Sequence, residues 1–233
     1  DEALLKQLLK KRPDIASLPE YLTVTRRRIK WARIKVLADG GVQMVVPHQY
    51  PVAEIVALYQ KKQRWVERQR ARLQRTAQDL FQIDNNRILL LGQGYRVVRS
   101  ARQEEGVDHS ARLVRSSLDL QDQDQQQRWY RAYAKAYLTE RIAILSDTGG
   151  FHFNRLSIRN QKTRWGSCSS RKNISLNWKL VKAPVFVSDY VIYHELVHTR
   201  IMNHGEQFWL AVGKVAPQFQ EAKAWLREKG HCL

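Results

Sequence analysis

The chain has 233 residues, of which 43% are hydrophobic and seven are tryptophan, so most of it can form a packed core and is not intrinsically disordered. No apolar run approaches the ~20 residues that a membrane-spanning helix needs. A formal net charge of +18 favours polyanionic partners such as nucleic acid or nucleotides. Because only Cys168 and Cys232 are present, we expect no disulfide framework and predict a cytoplasmic location.

Residues 1–120 are predicted to form a basic region of strands and helices. Two glycine-containing segments, 39–41 and 92–94, each separate runs of alternating apolar residues, which is typical of β-hairpins. The predicted elements are a short amphipathic helix ending near Pro13, a hairpin of 31–38 and 42–47, a helix over about 51–80, a hairpin of 87–91 and 95–99, and a strand near 111–118.

Residues 121–127 (QDQDQQQ) are polar and of low complexity, so we expect a surface loop or insertion there. Residues 128–233 are predicted to form a second, compact domain that contains the motifs described below. Its predicted elements are a helix over about 128–145, short strands over 155–160, 163–168 and 173–178, and helices over 188–202, about 206–215 and from near Phe219 to Gly230.

The segment His194-Glu195-Leu196-Val197-His198 is the most informative motif. Histidines four residues apart on a helix project from one face, where both imidazoles can bind a single Zn²⁺ while the intervening glutamate reaches water on that metal. Ser188 is the expected N-cap of this helix. Asn203-His204-Gly205 tolerates a chain reversal that brings His204 towards the metal as a third ligand.

A competing assignment of the third ligand remains open at this stage. Glu206 or Glu221 would take the place of His204, as in zinc enzymes that use two histidines and one glutamate.

Several further segments resemble the YgjP-like metallopeptidase family, which is related to the SprT and Spartan-type proteases. The residues that carry the resemblance are Arg164–Ser170, Ile174–Trp178, Tyr190–His198, Asn203-His204 and Phe208-Trp209. The resemblance implies an α+β fold: a minimal zincin-like domain with a small antiparallel sheet, the HExxH helix and C-terminal helices, preceded by an N-terminal β-hairpin and helix region.

The resemblance also implies one Zn²⁺ on His194, His198 and His204, with a fourth position open for water. Glu195 would be the general base in peptide hydrolysis. The hairpin from Arg164 to Trp178 is expected to line the cleft with its edge. The candidate substrate-binding residues are Arg164, Asn177, Arg171 and Arg200.

Two alternatives to a peptidase follow from the basic composition. The first is a metal-dependent hydrolase of nucleoside triphosphates, whose phosphates would be clamped by basic side chains. The side chains available for that clamp are Arg155, Arg159, Arg164, Arg171, Lys172 and Arg200. A long groove beside a strand edge would favour a peptide, whereas a short pocket ringed by arginines would favour polyphosphate.

The second alternative is a nucleic-acid-binding protein with a structural metal site, closed by a fourth protein ligand. Two tryptophans are interleaved with arginines, which is compatible with base stacking and equally with core tryptophans beneath a solvated face. These residues are Trp31, Trp65, Arg26, Arg27, Arg28, Arg64 and Arg68. No pattern in the sequence sets an oligomeric state.

Overall fold

The computed structural model describes residues 18–37, 40–80, 86–101 and 104–233, with the backbone alone for 72–80. The chain divides into two compact units, whose main bodies are Asp1–Asp79 and Leu80–His231. Helices and small sheets occur together, so the α+β class predicted from the sequence is confirmed. The helix predicted to end near Pro13 lies outside the described residues.

The first unit contains a three-stranded sheet and one long helix. The strands are β1 (Leu22–Arg27), β2 (Arg33–Val36) and β3 (Val42–Pro47), followed by α1 (Val52–Leu80). β3 is central, antiparallel to β2 as the hairpin prediction required, and parallel to β1, which was not predicted.

This sheet has one face buried against α1. Val42, Met44 and Val46 alternate along β3 and are fully buried in one cluster with Ile55 and Tyr59 of the helix. Every second residue of a strand points to the same face, and helix residues about four apart share one face. The apolar residues at these two spacings therefore pack together in one core.

The second unit begins with a four-stranded sheet in the order β4-β5-β7-β6. Its strands are β4 (Arg87–Leu90), β5 (Gln93–Arg99), β6 (Gly106–Asp108) and β7 (Leu113–Ser116). The predicted second hairpin is confirmed, but its turn is Leu91-Gly92, with positive φ at both residues, rather than Gly92 to Gly94. A Cβ on Gly92 would lie 2.7 Å from Pro184, so only glycine fits this close approach.

The helix α2 (Gln123–Thr148) begins inside the polar run that was predicted to be a loop, and that prediction is wrong from residue 123 onwards. Asp122 is the N-cap, and its side chain accepts a hydrogen bond from the Gln125 amide at 2.9 Å. Glutamine is a good helix former, so a capped glutamine-rich run begins a helix despite its low complexity.

The sheet nearest to the motif helix consists of β8 (Arg155–Arg159), β9 (Gly166–Cys168) and β10 (Asn173–Asn177), in the order β8-β10-β9. β10 is antiparallel to β9 but parallel to β8. The sheet is therefore mixed, whereas a small antiparallel sheet was predicted. β9 lies at one edge of this sheet.

Three helices complete the unit: α3 (Val185–His198), α4 (Glu206–Val215) and α5 (Phe219–Lys229). α3 begins three residues before the predicted start, so Ser188 is not its N-cap. Pro184 occupies that position, and the Ser188 hydroxyl donates to the Val185 carbonyl oxygen within the helix at 2.9 Å. α3 ends at His198, rather than at residue 202, which leaves Thr199–Gly205 for the chain reversal.

A single hydrophobic core extends through the second unit. The sheet of residues 87–116 contributes Leu90 and Val114 to the core that also contains Leu138 of α2 and Ile192 of α3. The division of the chain into separate domains at residues 120 and 128 stays a prediction. None of the helices in the described parts of the chain is both long and apolar enough to cross a membrane.

Candidate metal centre

Three imidazoles converge at the end of α3. The Nε2 atoms of His194 and His198 are 3.2 Å apart, and the Nε2 atom of His204 lies 3.1 Å from each of them. His194 and His198 project from successive turns of α3, and the reversal after His198 returns His204 to the same point. The structure thus brings together the three histidines that the sequence predicted.

The donor set fits a tetrahedral metal ion. Two imidazoles on Zn²⁺, each about 2.0–2.1 Å from it, have nitrogens about 3.3 Å apart, close to the separations found here. The His198 Nδ1 atom lies 3.0 Å from the Ile201 carbonyl oxygen, which only accepts hydrogen bonds. Nδ1 therefore donates to that oxygen, and the neutral ring turns the lone pair of Nε2 towards the other two histidines.

The electrostatics of the cluster also favour neutral, metal-binding imidazoles. Burial lowers the pKa of His194 to about 3, with a further lowering by His198 and His204. Burial likewise lowers the pKa of His198. Where the Nε2 atoms carry no proton, their lone pairs face one another at 3.1–3.2 Å and repel unless a cation lies between them. Holding a divalent ion is the arrangement that resolves this repulsion.

An aromatic side chain supports all three histidines. Phe208 is fully buried in α4, and its ring centroid lies 4.9, 4.5 and 4.7 Å from those of His194, His198 and His204. Trp209 packs on His194 and His204 at 5.9 and 5.8 Å. Sequence reasoning assigned no role to this pair. Its position in the first turn of the helix after His204 was the available signal.

Glu195 lies beside the histidines and is only 5% exposed. Its carboxylate packs so closely on β9 that a Cβ on Gly166 would lie 2.6 Å from Oε1 and 2.7 Å from Cγ. Burial raises the pKa of Glu195 to about 8, and the charge of Arg164 opposes that rise. A divalent cation on the neighbouring histidines would also favour the carboxylate form.

The cluster opens into a cleft of about 330 Å³. The whole of β9, from Gly166 to Cys168, lines one side of this cleft, and β9 is an edge strand of its sheet. The edge of the predicted hairpin therefore borders the candidate metal site. Burial raises the pKa of the Cys168 thiol to about 11, so this cysteine stays protonated at neutral pH.

Of the four predicted substrate-binding residues, only one is among the described residues that line the cleft. Arg164 lines the cleft. Asn177 is buried and donates from Nδ2 to the carbonyl oxygens of Gln161 and Arg164, at 2.8 and 3.3 Å, so it holds the loop that carries Arg164.

Arg171 and Arg200 are not among the described residues that line the cleft. The Arg200 guanidinium donates to the Gly150 carbonyl oxygen and stacks over Phe151, with 4.4 Å between Cζ and the ring centroid. The Arg171 carbonyl oxygen accepts a hydrogen bond from Asn154. An arginine ring around the cleft is therefore not assembled in the described structure.

The alternative third ligands do not join the cluster. Among the described residues, His194, His198 and His204 form a group whose candidate ligand atoms all lie within 4.8 Å of one another, and neither Glu206 nor Glu221 belongs to it. In the described part of the chain the group contains three protein ligands and no fourth. Catalytic zinc sites in general have three protein ligands, and structural sites have four.

These features define a mixed α+β protein with a three-histidine site beside a buried glutamate. The family model of the YgjP-like metallopeptidase domain matches residues 30–229, and the chain belongs to this family. Comparison with curated proteins and with solved structures gave no significant match.

Proposed function

We propose that this protein is a zinc-dependent metallopeptidase. The observation that carries the proposal is the convergence of three Nε2 atoms, 3.1–3.2 Å apart, beside a buried carboxylate in an open cleft. Three imidazoles are a ligand set that suits Zn²⁺. When bound, zinc would lower the pKa of a water to about 7 and polarise the carbonyl under attack.

Glu195 has the position and the environment of a general base. It follows the first ligand in sequence, and its carboxylate is held against Gly166 with little freedom to move. In its ionised form it accepts a proton from the attacking water and then donates that proton to the leaving amine. Arg164, whose charge favours the ionised form, lies in the same cleft.

The edge strand β9 supports a peptide as the substrate. An extended peptide binds a free strand edge through main-chain hydrogen bonds, and β9 presents such an edge to the cleft. A triphosphate clamp would need several arginines or lysines around the cleft. Among the described residues that line it, Arg164 is the only arginine or lysine. The cleft therefore supports a peptidase better than a nucleotide hydrolase.

The test compares zinc-loaded wild type with Glu195→Gln, on an unfolded protein and on nucleoside triphosphates. We expect new peptide ends, detected by mass spectrometry, to form about 10²–10⁴ times more slowly in the variant while zinc binding is retained. Glu206→Gln removes the same charge from an exposed residue of α4 and should cleave like the wild type. Full activity of Glu195→Gln would show that the base assignment is wrong, and hydrolysis of triphosphate alone would overturn the peptidase proposal.

A further inference from the structure

The sheet of the first unit has one face that turns away from α1. Because Val42, Met44 and Val46 are buried towards the helix, Gln43 and Val45 of the same strand point to the opposite, outer face. Arg33 pairs with Val45 and Lys35 pairs with Gln43, so both cations stand on this outer face. Both are exposed.

The strand β1 extends the same surface. In its parallel register with β3, Thr23 lies opposite Gln43 and Arg27 lies opposite Pro47, which puts both residues on the outer face. Both are exposed. We call the surface formed by Arg27, Arg33 and Lys35 the basic sheet face. The stretch from Tyr21 to Leu37 contains six arginines and lysines and no acidic residue, so no carboxylate of these strands offsets the charge.

A tryptophan stands at one end of the basic sheet face. Trp31 lies in the connection between β1, which ends at Arg27, and β2, which begins at Arg33. Its side chain is 70% exposed, the highest value among the large hydrophobic residues described. The Lys30 ammonium lies 5.4 Å from the centroid of its ring. Tryptophan is normally well buried, so an indole left this open among cations indicates a surface that binds something.

We propose that the basic sheet face binds single-stranded nucleic acid, with phosphates on Arg27, Arg33 and Lys35 and a base stacked on Trp31. A positively charged track with an exposed aromatic ring is the combination that such ligands require. The indole face favours a single strand, because the bases of a duplex are already stacked on one another. Trp65, the other tryptophan of this unit, lies on α1, which packs on the opposite face of the sheet, and is outside the proposed site.

This binding goes beyond the proposed peptidase and does not depend on the metal. The experiment therefore uses the metal-free full chain and fluorescein-labelled oligothymidylate or oligouridylate of about 20 nucleotides. Fluorescence anisotropy is measured over a range of salt concentrations. Trp31→Ala should weaken binding by between about five- and a hundredfold while the slope of log affinity against log salt stays unchanged, because a base stack releases no counterions.

Removal of the charges should have the complementary effect. The triple variant Arg27→Gln, Arg33→Gln, Lys35→Gln should reduce the salt slope by about 2, since each phosphate contact to a single strand contributes about 0.7. The control variant removes three exposed cations of the second unit and should keep the wild-type slope. Its substitutions are Arg131→Gln, Lys135→Gln and Lys214→Gln.

Three results would overturn the proposal. One is an equal loss of affinity in the control triple variant, which would mean that net charge alone is responsible. Another is wild-type affinity in Trp31→Ala. The third is tighter binding to duplex DNA, or to vesicles that contain phosphatidylserine, than to the single strand. Glu195→Gln should bind the oligonucleotide like the wild type, so failure of the peptidase proposal would leave this one standing.

Discussion

Gly166 is the point at which β9 packs against the carboxylate of Glu195, the proposed general base. An added Cβ would lie 2.6 Å from Oε1, 2.7 Å from Cγ and 2.9 Å from Cδ of Glu195, all closer than van der Waals contact. Rotation of the carboxylate alone does not remove the contact with Cγ. Since Glu195 is only 5% exposed, the whole side chain or β9 must shift in Gly166→Ala.

Two opposing effects decide the magnitude. Alanine lowers the entropy of the unfolded chain, which stabilises by about 0.4–1 kcal/mol, whereas forcing an extra carbon into a packed site costs about 1–3 kcal/mol. The packing cost is larger, so we expect the free energy of unfolding to fall by about 1–2 kcal/mol in urea denaturation. A displacement of Glu195 by about 1 Å should also reduce peptide hydrolysis by roughly 10²-fold.

The matched control is Gly213→Ala in α4, where the added Cβ would lie at an ordinary 3.5 Å from the Phe219 ring. Removal of a glycine from a helix interior should raise stability by roughly 0.5–1 kcal/mol and leave hydrolysis unchanged. The reasoning is refuted if Gly166→Ala has wild-type stability and wild-type hydrolysis.

Three further predictions concern the aromatic support of the histidines, the loop that carries Arg164, and a largely buried lysine elsewhere in the second unit. Phe208→Leu should reduce zinc affinity about 10–100-fold, measured by competition with a chelating dye, because the aromatic support of all three imidazoles is lost; an unchanged affinity would contradict this role. Asn177→Ala should lower the free energy of unfolding by about 1–3 kcal/mol, since the carbonyl oxygens of Gln161 and Arg164 lose a buried donor, while Asn173→Ala at the exposed start of β10 should change it little. Burial lowers the pKa of Lys182 to about 8 in the folded protein, whereas the unfolded chain has the ordinary pKa of 10.5. Between pH 8 and pH 10.5 the unfolded chain therefore holds a proton that the folded protein has released. Stability should therefore rise with pH across that window, by at most about 3 kcal/mol relative to Lys182→Met, and parallel pH profiles of the two proteins would contradict this.

The convergence of the three histidines could be predicted from the sequence because the information for it is local. The spacing of His194 and His198 sets their common helix face, and Asn203 and Gly205 on either side of His204 favour the reversal that returns it. The helix start was predicted wrongly. A serine was taken as the cap, although the side chain of Ser188 bonds equally well to a carbonyl inside the helix, a choice that tertiary packing decides.

The contacts that complete the site are non-local and carried no pattern in the sequence. Gly166 contacts Glu195 although it lies almost thirty residues earlier in the chain. Only glycine fits at this position because β9 approaches α3 so closely. The parallel pairings of β1 with β3 and of β8 with β10 likewise join strands that are not consecutive. Hairpins are encoded by their turns, whereas parallel partners are selected by the assembled core.

Titration of the metal-free chain with Zn²⁺ tests the central claim, three histidines on one ion, most directly. We expect one ion to bind per chain, and His204→Ala to lose more affinity than the roughly 10–100-fold that removal of an outer-shell partner costs. Glu206→Gln and Glu221→Gln, which remove the alternative ligands, should bind zinc like the wild type. An undiminished affinity in His204→Ala, or a loss of affinity in either glutamate variant, would contradict the assignment.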